Sequence, residues 1–207
     1  VDYTPASYTS SGILLIDPGE GTTVTGNTVD GAQTGIYAYG ADNSTISGNI
    51  VNGSSWGVFV DSSTNVLVSG NTISNSDQDG LDIYNSSLVT VTGNTISGSA
   101  GDGIWVGGTA PNITITGNTI TDNANGNLWP GAAGIHVSDN TDLTSLVITG
   151  NTFSGTLAGV SNSTTGGGTV VALGNFWGCP GGPDDPACAP VYNDVLYDPW
   201  LIVNPFI

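Results

Sequence analysis

The sequence contains no lysine and no arginine in 207 residues. Seventeen acids against no base give a formal net charge of −17 and a pI near 4.1. Phosphate neutralisation needs cations, so nucleic acid is excluded as a partner, and docking on anionic lipid is disfavoured for the same reason. The chain offers trypsin-like proteases no cleavage site and cannot form an Arg or Lys salt bridge, which suits an exposed extracellular life. Methionine is absent. No apolar run approaches the ~20 residues of a membrane span, which excludes membrane insertion. Two cysteines are too few for a structural zinc site. Cys179 and Cys188 stand nine positions apart in CPGGPDDPAC and read as a disulfide. Closing a loop of this size contributes roughly 2–3 kcal/mol and implies an oxidising compartment, hence a secreted or cell-surface protein.

What the sequence has in abundance is glycine with asparagine, serine and threonine, arranged in a period. A Gly-Asn step places Asn27, Asn49, Asn71, Asn94, Asn118, Asn151 and Asn175 at gaps of 22, 22, 23, 24, 33 and 24. A second glycine opens an alternating apolar strand at Gly12, Gly35, Gly57, Gly80, Gly103, Gly134 and Gly159, at gaps of 22 to 25 except one of 31. The long gap holds the insert DNANGNLWPGAA. Three short strands per period, none able to bury its own apolar residues, predict an all-β solenoid whose stacked coils share one aliphatic column. The expected domain is a single β-helix of about seven coils over residues 12–178. An N-terminal segment, 1–11, precedes it, and a disulfide-containing cap with an apolar tail, 179–207, follows it. The repeated Asn is expected to be structural. It tolerates the left-handed turn, and stacked Asn side chains can form a hydrogen-bonded ladder.

VTGNTISGS followed by DGIWV resembles the repeat of right-handed parallel β-helix proteins of the pectate-lyase-like superfamily, over about Gly12 to Gly178. The closing GNFWGCPGGPDDPACAPVYNDVLYDPWL resembles the NWWG-C-GGP…C…PWL ending of β-helix domains in large secreted and surface proteins. The resemblance implies a right-handed coil. It also implies that any catalytic groove lies over the strand beginning Gly-Ile. Lyases, hydrolases, epimerases, adhesins and noncatalytic rods share the repeat, so architecture alone does not give function.

Alternation then says what points out of that strand. One outward column reads Leu14, Tyr37, Phe59, Asp82, Trp105, His136, Ser161, and the next reads Ile16, Tyr39, Asp61, Tyr84, Gly107, Ser138, Ser163. The candidate binding surface is Tyr37, Phe59, Asp82, Tyr84, Trp105 and His136, with Trp129 of the insert overhanging it. Three readings compete: rings stacked to stabilise the sheet, a protein contact, or a sugar platform. SDQDGLDI…GDGI is loosely similar to the polygalacturonase pattern NTDGID…GDD, in which carboxylates work as acid and base. Here Asp102 is followed by Gly103 rather than a second Asp, and Arg-X-Lys has no counterpart, so no catalytic residue is assigned. If the chain is an enzyme, a glycoside hydrolase fits better than a lyase that needs an Arg or Lys base. Asp77 with Asp79, and Asp184 with Asp185, are weak candidates for calcium, with solvated turns the simpler expectation. The sequons at Asn43, Asn52, Asn85, Asn112 and Asn162 would suit glycosylation. Thr-X-Thr pairs on the second strand resemble those of ice-binding solenoids. The resulting expectation is a noncatalytic, secreted or surface structural protein that associates with itself through its faces and open ends. A polysaccharide-binding or polysaccharide-cleaving β-helix is the alternative, and an ice-binding solenoid the third.

Overall fold

The computed structural model describes residues 10–19, 21–126, 130–138 and 141–206. The chain winds as a parallel β-solenoid with three strands in each regular coil and no helix among the described residues. Corresponding strands of successive coils pair in parallel and build three sheets. The sheet that carries the candidate surface has eight strands, in chain order Ser11–Ile16, Thr34–Tyr39, Trp56–Asp61, Leu81–Tyr84, Ile104–Gly107, Ile135–Val137, Val160–Asn162 and Val191–Tyr192. The two other long sheets have six strands each. The solenoid therefore makes about eight turns rather than seven. The extra rung is Val191–Tyr192, which lies beyond the Gly-Asn repeat and pairs with Val160 and Ser161.

The core is the column of inward residues the period demands. Ile36, Val58, Leu81, Ile104, Ile135 and Val160 are all completely buried and stand in register down the first sheet. Ile46, Val68, Val91 and Ile115 do the same in the second, and Val51, Ile73, Ile96, Ile120 and Phe153 in the third. The glycine that opens each first-sheet strand is dictated by close approach. A Cβ on Gly80 would lie 2.6 Å from Ile96 Cγ2 and 2.7 Å from the carbonyl oxygen of Gly103. The second of these is backbone of the next coil and cannot step aside.

The seven repeat asparagines form one continuous ladder. Asn94 Nδ2 donates to Asn118 Oδ1 at 3.0 Å and to the Val68 carbonyl at 2.9 Å, while Asn94 Oδ1 accepts from both the backbone N and Nδ2 of Asn71 at 2.9 Å. The same links run from Asn27 through Asn49 and Asn71, and from Asn118 through Asn151 to Asn175. Each rung satisfies groups that burial would otherwise orphan.

Cys179 and Cys188 are joined as a disulfide, with Cα atoms 5.2 Å apart. The tail runs back along its own last coil: Gly174 N donates to the Pro199 carbonyl, Leu201 N to the Asn175 carbonyl, and Trp200 Nε1 to the Pro180 carbonyl. Ile202, Val203 and Phe206 nevertheless remain exposed at 66, 67 and 51%.

Candidate functional site

The register of the first sheet sets Leu14, Tyr37, Phe59, Asp82, Trp105, His136 and Ser161 in one line across seven strands. The line is not an exposed stripe. Tyr37, Phe59 and Trp105 are half-buried, and Asp82 and His136 are buried. The aromatic rings lie down on one another. Tyr37 and Phe59 have centroids 5.3 Å apart, Tyr84 and Trp105 6.0 Å, and the Tyr37 hydroxyl donates to Asp61 Oδ2 at 3.0 Å. Tyr84 keeps 39% of its surface exposed. Trp129 lies outside the described residues.

Asp82 sits on the floor of a recess bounded by Trp56, Phe59, Asp79, Tyr84 and Trp105. Asp79 and Asp102 each stand just before a strand-opening glycine, on adjacent rungs. Both are buried. Asp79 Oδ1 accepts the backbone N–H of Asp102 at 2.6 Å, and Asp102 Oδ1 accepts that of Ala133 at 2.6 Å. Asp79 is therefore not the solvated turn residue the sequence suggested: its carboxylate has turned inward to satisfy the next coil's backbone. Asp77, two residues earlier, is exposed.

Asp79 and Asp82 share a side-chain hydrogen bond with Asp82 as donor. Burial pushes the Asp79 carboxyl up to about 7, and the neighbouring charge of Asp102 adds to it. Burial also holds Asp82 well above the usual carboxylate range. The charge of Asp79 and the shared hydrogen bond act in the same direction. The pair thus keeps a proton where a lone surface carboxylate would have lost it. Asp82 Oδ2 is buried and has no hydrogen-bond partner among the described residues.

His136 continues the line beyond Trp105. Its Nδ1 lies 2.9 Å from Asp102 Oδ2 and its Nε2 2.9 Å from Ser163 Oγ. The sequence presented His136 as solitary, because its partners are 34 and 27 residues away and only the coil spacing brings them together. Trp56 was also missed. It occupies the same pre-glycine position as Asp79 and Asp102, and three consecutive large or charged residues in that otherwise small-residue column were the available signal.

The remaining candidates disperse. Asp184 Oδ2 accepts the Tyr197 hydroxyl at 2.8 Å, and Asp185 Oδ1 accepts the Ala187 N–H at 2.9 Å. Among the described residues, the one set of three metal-ligand residue types with donor atoms within 4.8 Å is Cys179, Asp185 and Cys188. Its two sulfurs are already bonded to each other, so these residues do not fit calcium. Asn43, Asn85 and Asn112 are exposed, and Asn52 is half-buried. Asn162 is buried, and its Nδ2 donates to the Gly168 and Asp194 carbonyls, so the folded chain does not offer that sequon. The Thr-X-Thr face is interrupted by exposed Leu67 and Val147.

The comparisons agree with this architecture. Tailspike protein 2 of the Escherichia coli O157:H7 bacteriophage CAB120 is similar over 85% of this chain at 17% identity, with a TM-score of 0.56. This chain spans 28% of that protein. An alginate lyase of Paenibacillus sp. str. FPU-7 is similar over 85% of this chain and 90% of its own, at 16% identity and a TM-score of 0.49. The A-module of a mannuronan C-5 epimerase of Azotobacter vinelandii is similar over 85% of this chain and 55% of its own, at 16% identity and a TM-score of 0.46. No curated protein matches. At 17% identity the likeness to the tailspike protein is one of fold. The family model described as "Right handed beta helix region" matches residues 11–176, most of the sequence, and the chain belongs to the right-handed β-helix family.

Proposed function

We propose that the protein binds an extracellular polysaccharide across its first sheet and cleaves it by acid–base chemistry at the Asp79–Asp82 pair. The observation that carries this reading is the pair itself. Two buried carboxyls, both raised above the usual carboxylate range by burial, line a recess together with Trp56, Phe59, Tyr84 and Trp105. Aromatic faces suit the apolar faces of sugar rings. In the singly protonated pair, Asp82 supplies the proton for the leaving oxygen and Asp79 accepts one from water. Asp79 and Asp82 line the same recess, so they act on the scissile bond from one side. The absence of Lys and Arg fits hydrolysis better than elimination by a cationic base.

The test is reducing-end release from a panel of neutral and acidic polysaccharides, alongside a glycan array. Asp82→Asn is expected to lower cleavage by about 10²–10⁴-fold while binding persists, and Trp105→Ala to weaken binding about 3–10-fold. Cleavage is expected to rise as pH passes through about 7, where Asp79 loses its proton. A protein that neither binds nor cleaves any of the panel, or an Asp82→Asn variant as active as the parent, overturns the reading.

A second reading is favoured by a different observation. Exposed apolar side chains stand at both ends of the solenoid: Leu14 and Ile16 on the first strand, and Ile202, Val203 and Phe206 on the tail. They support end-to-end association into a filament or surface layer, which size-exclusion chromatography and electron microscopy check.

A further inference from the structure

Three side chains from three successive coils lie on a diagonal across the first sheet. Asp102 precedes Gly103, His136 follows Gly134 by two residues, and Ser163 follows Gly159 by four. Asp102 is wholly buried and His136 is 7% exposed. Asp102 Oδ2 meets His136 Nδ1 at 2.9 Å, and His136 Nε2 meets Ser163 Oγ at 2.9 Å. A carboxylate only accepts, so Nδ1 carries the hydrogen and Nε2 is left as the acceptor for the Ser163 hydroxyl. That tautomer is the one a general base needs. Asp102 is itself fixed, because its other oxygen accepts the Ala133 N–H. Ser163 as a residue is half-exposed.

The glycan reading leaves this line unused, and it is more than a structural tie. Ser161 Oγ is completely buried and has no hydrogen-bond partner among the described residues. It faces the same space as the Ser163 hydroxyl. A Cβ placed on Gly131 would lie 3.1 Å from Ser163 Oγ, 3.3 Å from Ser161 Oγ and 4.0 Å from His136 Nε2. Gly131 therefore packs closely where a nucleophile held by a base and an unspent hydroxyl donor come together, and a side chain there would crowd both. These are the elements an acyl-transfer site brings together around one reacting atom.

We infer that Ser163, His136 and Asp102 form a nucleophilic triad that hydrolyses a carboxylic ester. Ser163 Oγ bonds to the acyl carbon as its proton passes to His136 Nε2, and Ser161 Oγ–H donates to the developing oxyanion. The acyl–alkoxy bond breaks, and the alcohol leaves with the proton from Nε2. Water then attacks the acyl-serine, gives a proton to Nε2, and releases the acid as Ser163 regains its hydrogen. The sum is ester plus water to acid plus alcohol, with no oxidant or cofactor. Identifying the alcohol as a sugar hydroxyl, so that the substrate is an O-acylated polysaccharide, rests on the glycan reading above. The ester chemistry does not.

The experiment treats the whole protein with a fluorophosphonate probe and with p-nitrophenyl acetate. Adduct mass and peptic peptides are the readout, since trypsin has no site in this chain. One probe adduct is expected on Ser163. Ser163→Ala, which removes only a half-exposed hydroxyl, is expected to abolish it. His136→Ala is expected to slow ester hydrolysis by about 10²–10⁴-fold, and Ser138→Ala is expected to label like the parent. A folded parent protein that neither labels nor outpaces buffer overturns the inference, as does labelling that survives Ser163→Ala. Labelling at Ser163 in a protein that ignores every polysaccharide sinks the glycan reading and leaves the triad standing.

Discussion

At the residue scale, the feature with the widest consequences is the proton shared by Asp79 and Asp82. Both carboxyls are raised by folding, so between the unfolded value near 3.8 and about 7 the native state holds protons that the unfolded chain has released. Stability then falls as pH rises across that window. This is the opposite of a salt-bridged carboxylate. Repulsion among the other acids works in the same direction, so the pair must be isolated by substitution. Asp82→Asn keeps the shape and a hydrogen-bond donor toward Asp79 but removes one titrating group. Thermal melting of the parent is expected to be several degrees higher at pH 5 than at pH 8, at roughly 2–4 °C per kcal/mol for a chain of this size. The variant should show a visibly smaller difference. Equal pH dependence in the two proteins would mean that the pair does not hold the proton.

The coil is the element, and the Asn ladder is what ties one coil to the next. Asn94 lies mid-ladder and buried, and it serves Asn71 and the Val68 carbonyl of the preceding coil on one side and Asn118 of the following coil on the other. Asn27 ends the ladder and is half-exposed. Asn94→Ala leaves several buried groups unpaired at about 1–3 kcal/mol each. Asn27→Ala should cost under ~1 kcal/mol, since water replaces what is lost. Chemical denaturation of the two variants separates them, and equal losses would remove the ladder from the account of stability. This level of organisation was readable from the sequence because it is periodic. Asn, Gly and the aliphatic column recur at a fixed spacing, so their stacking follows from counting. The site was readable only in outline. Alternation identified Asp82, Trp105 and His136 as facing away from the core. It could not say that rings would fold over Asp82, that Asp79 would turn inward to the Asp102 N–H, or that the insert's Gly131 would lie against Ser161 and Ser163. Asp79 and Asp102 stand one ordinary period apart, so what alternation lacked there was the direction of the side chain, whereas Gly131 reaches Ser161 and Ser163 from the insert, where no period sets the separation.

At the scale of the whole molecule, the two ends and the net charge oppose each other. The Ser11–Ile16 strand has a pairing partner on one side only among the described residues, with Leu14 53% and Ile16 58% exposed beside it. An edge of this kind is a template for further strand pairing unless something covers it. The opposite end presents Ile202, Val203 and Phe206. A head-to-tail contact between unlike ends grows as a filament where its rotation does not close a ring. With a charge of −17 and no cationic side chain, no opposite-sign patch can draw two copies together, and long-range repulsion acts against contact. That repulsion is screened within about 10 Å at 0.1 M salt, while apolar burial is not weakened by salt. Association is therefore expected to increase with ionic strength and protein concentration and to be weakest in dilute, low-salt buffer at high pH. Val203→Asp with Phe206→Asp should shift the salt needed for assembly upward. Sedimentation velocity across a salt series reads this directly. A monomer that persists through molar salt and high concentration, or assembly indifferent to both tail substitutions, would leave the exposed ends without a role in self-association and the groove as the molecule's working surface.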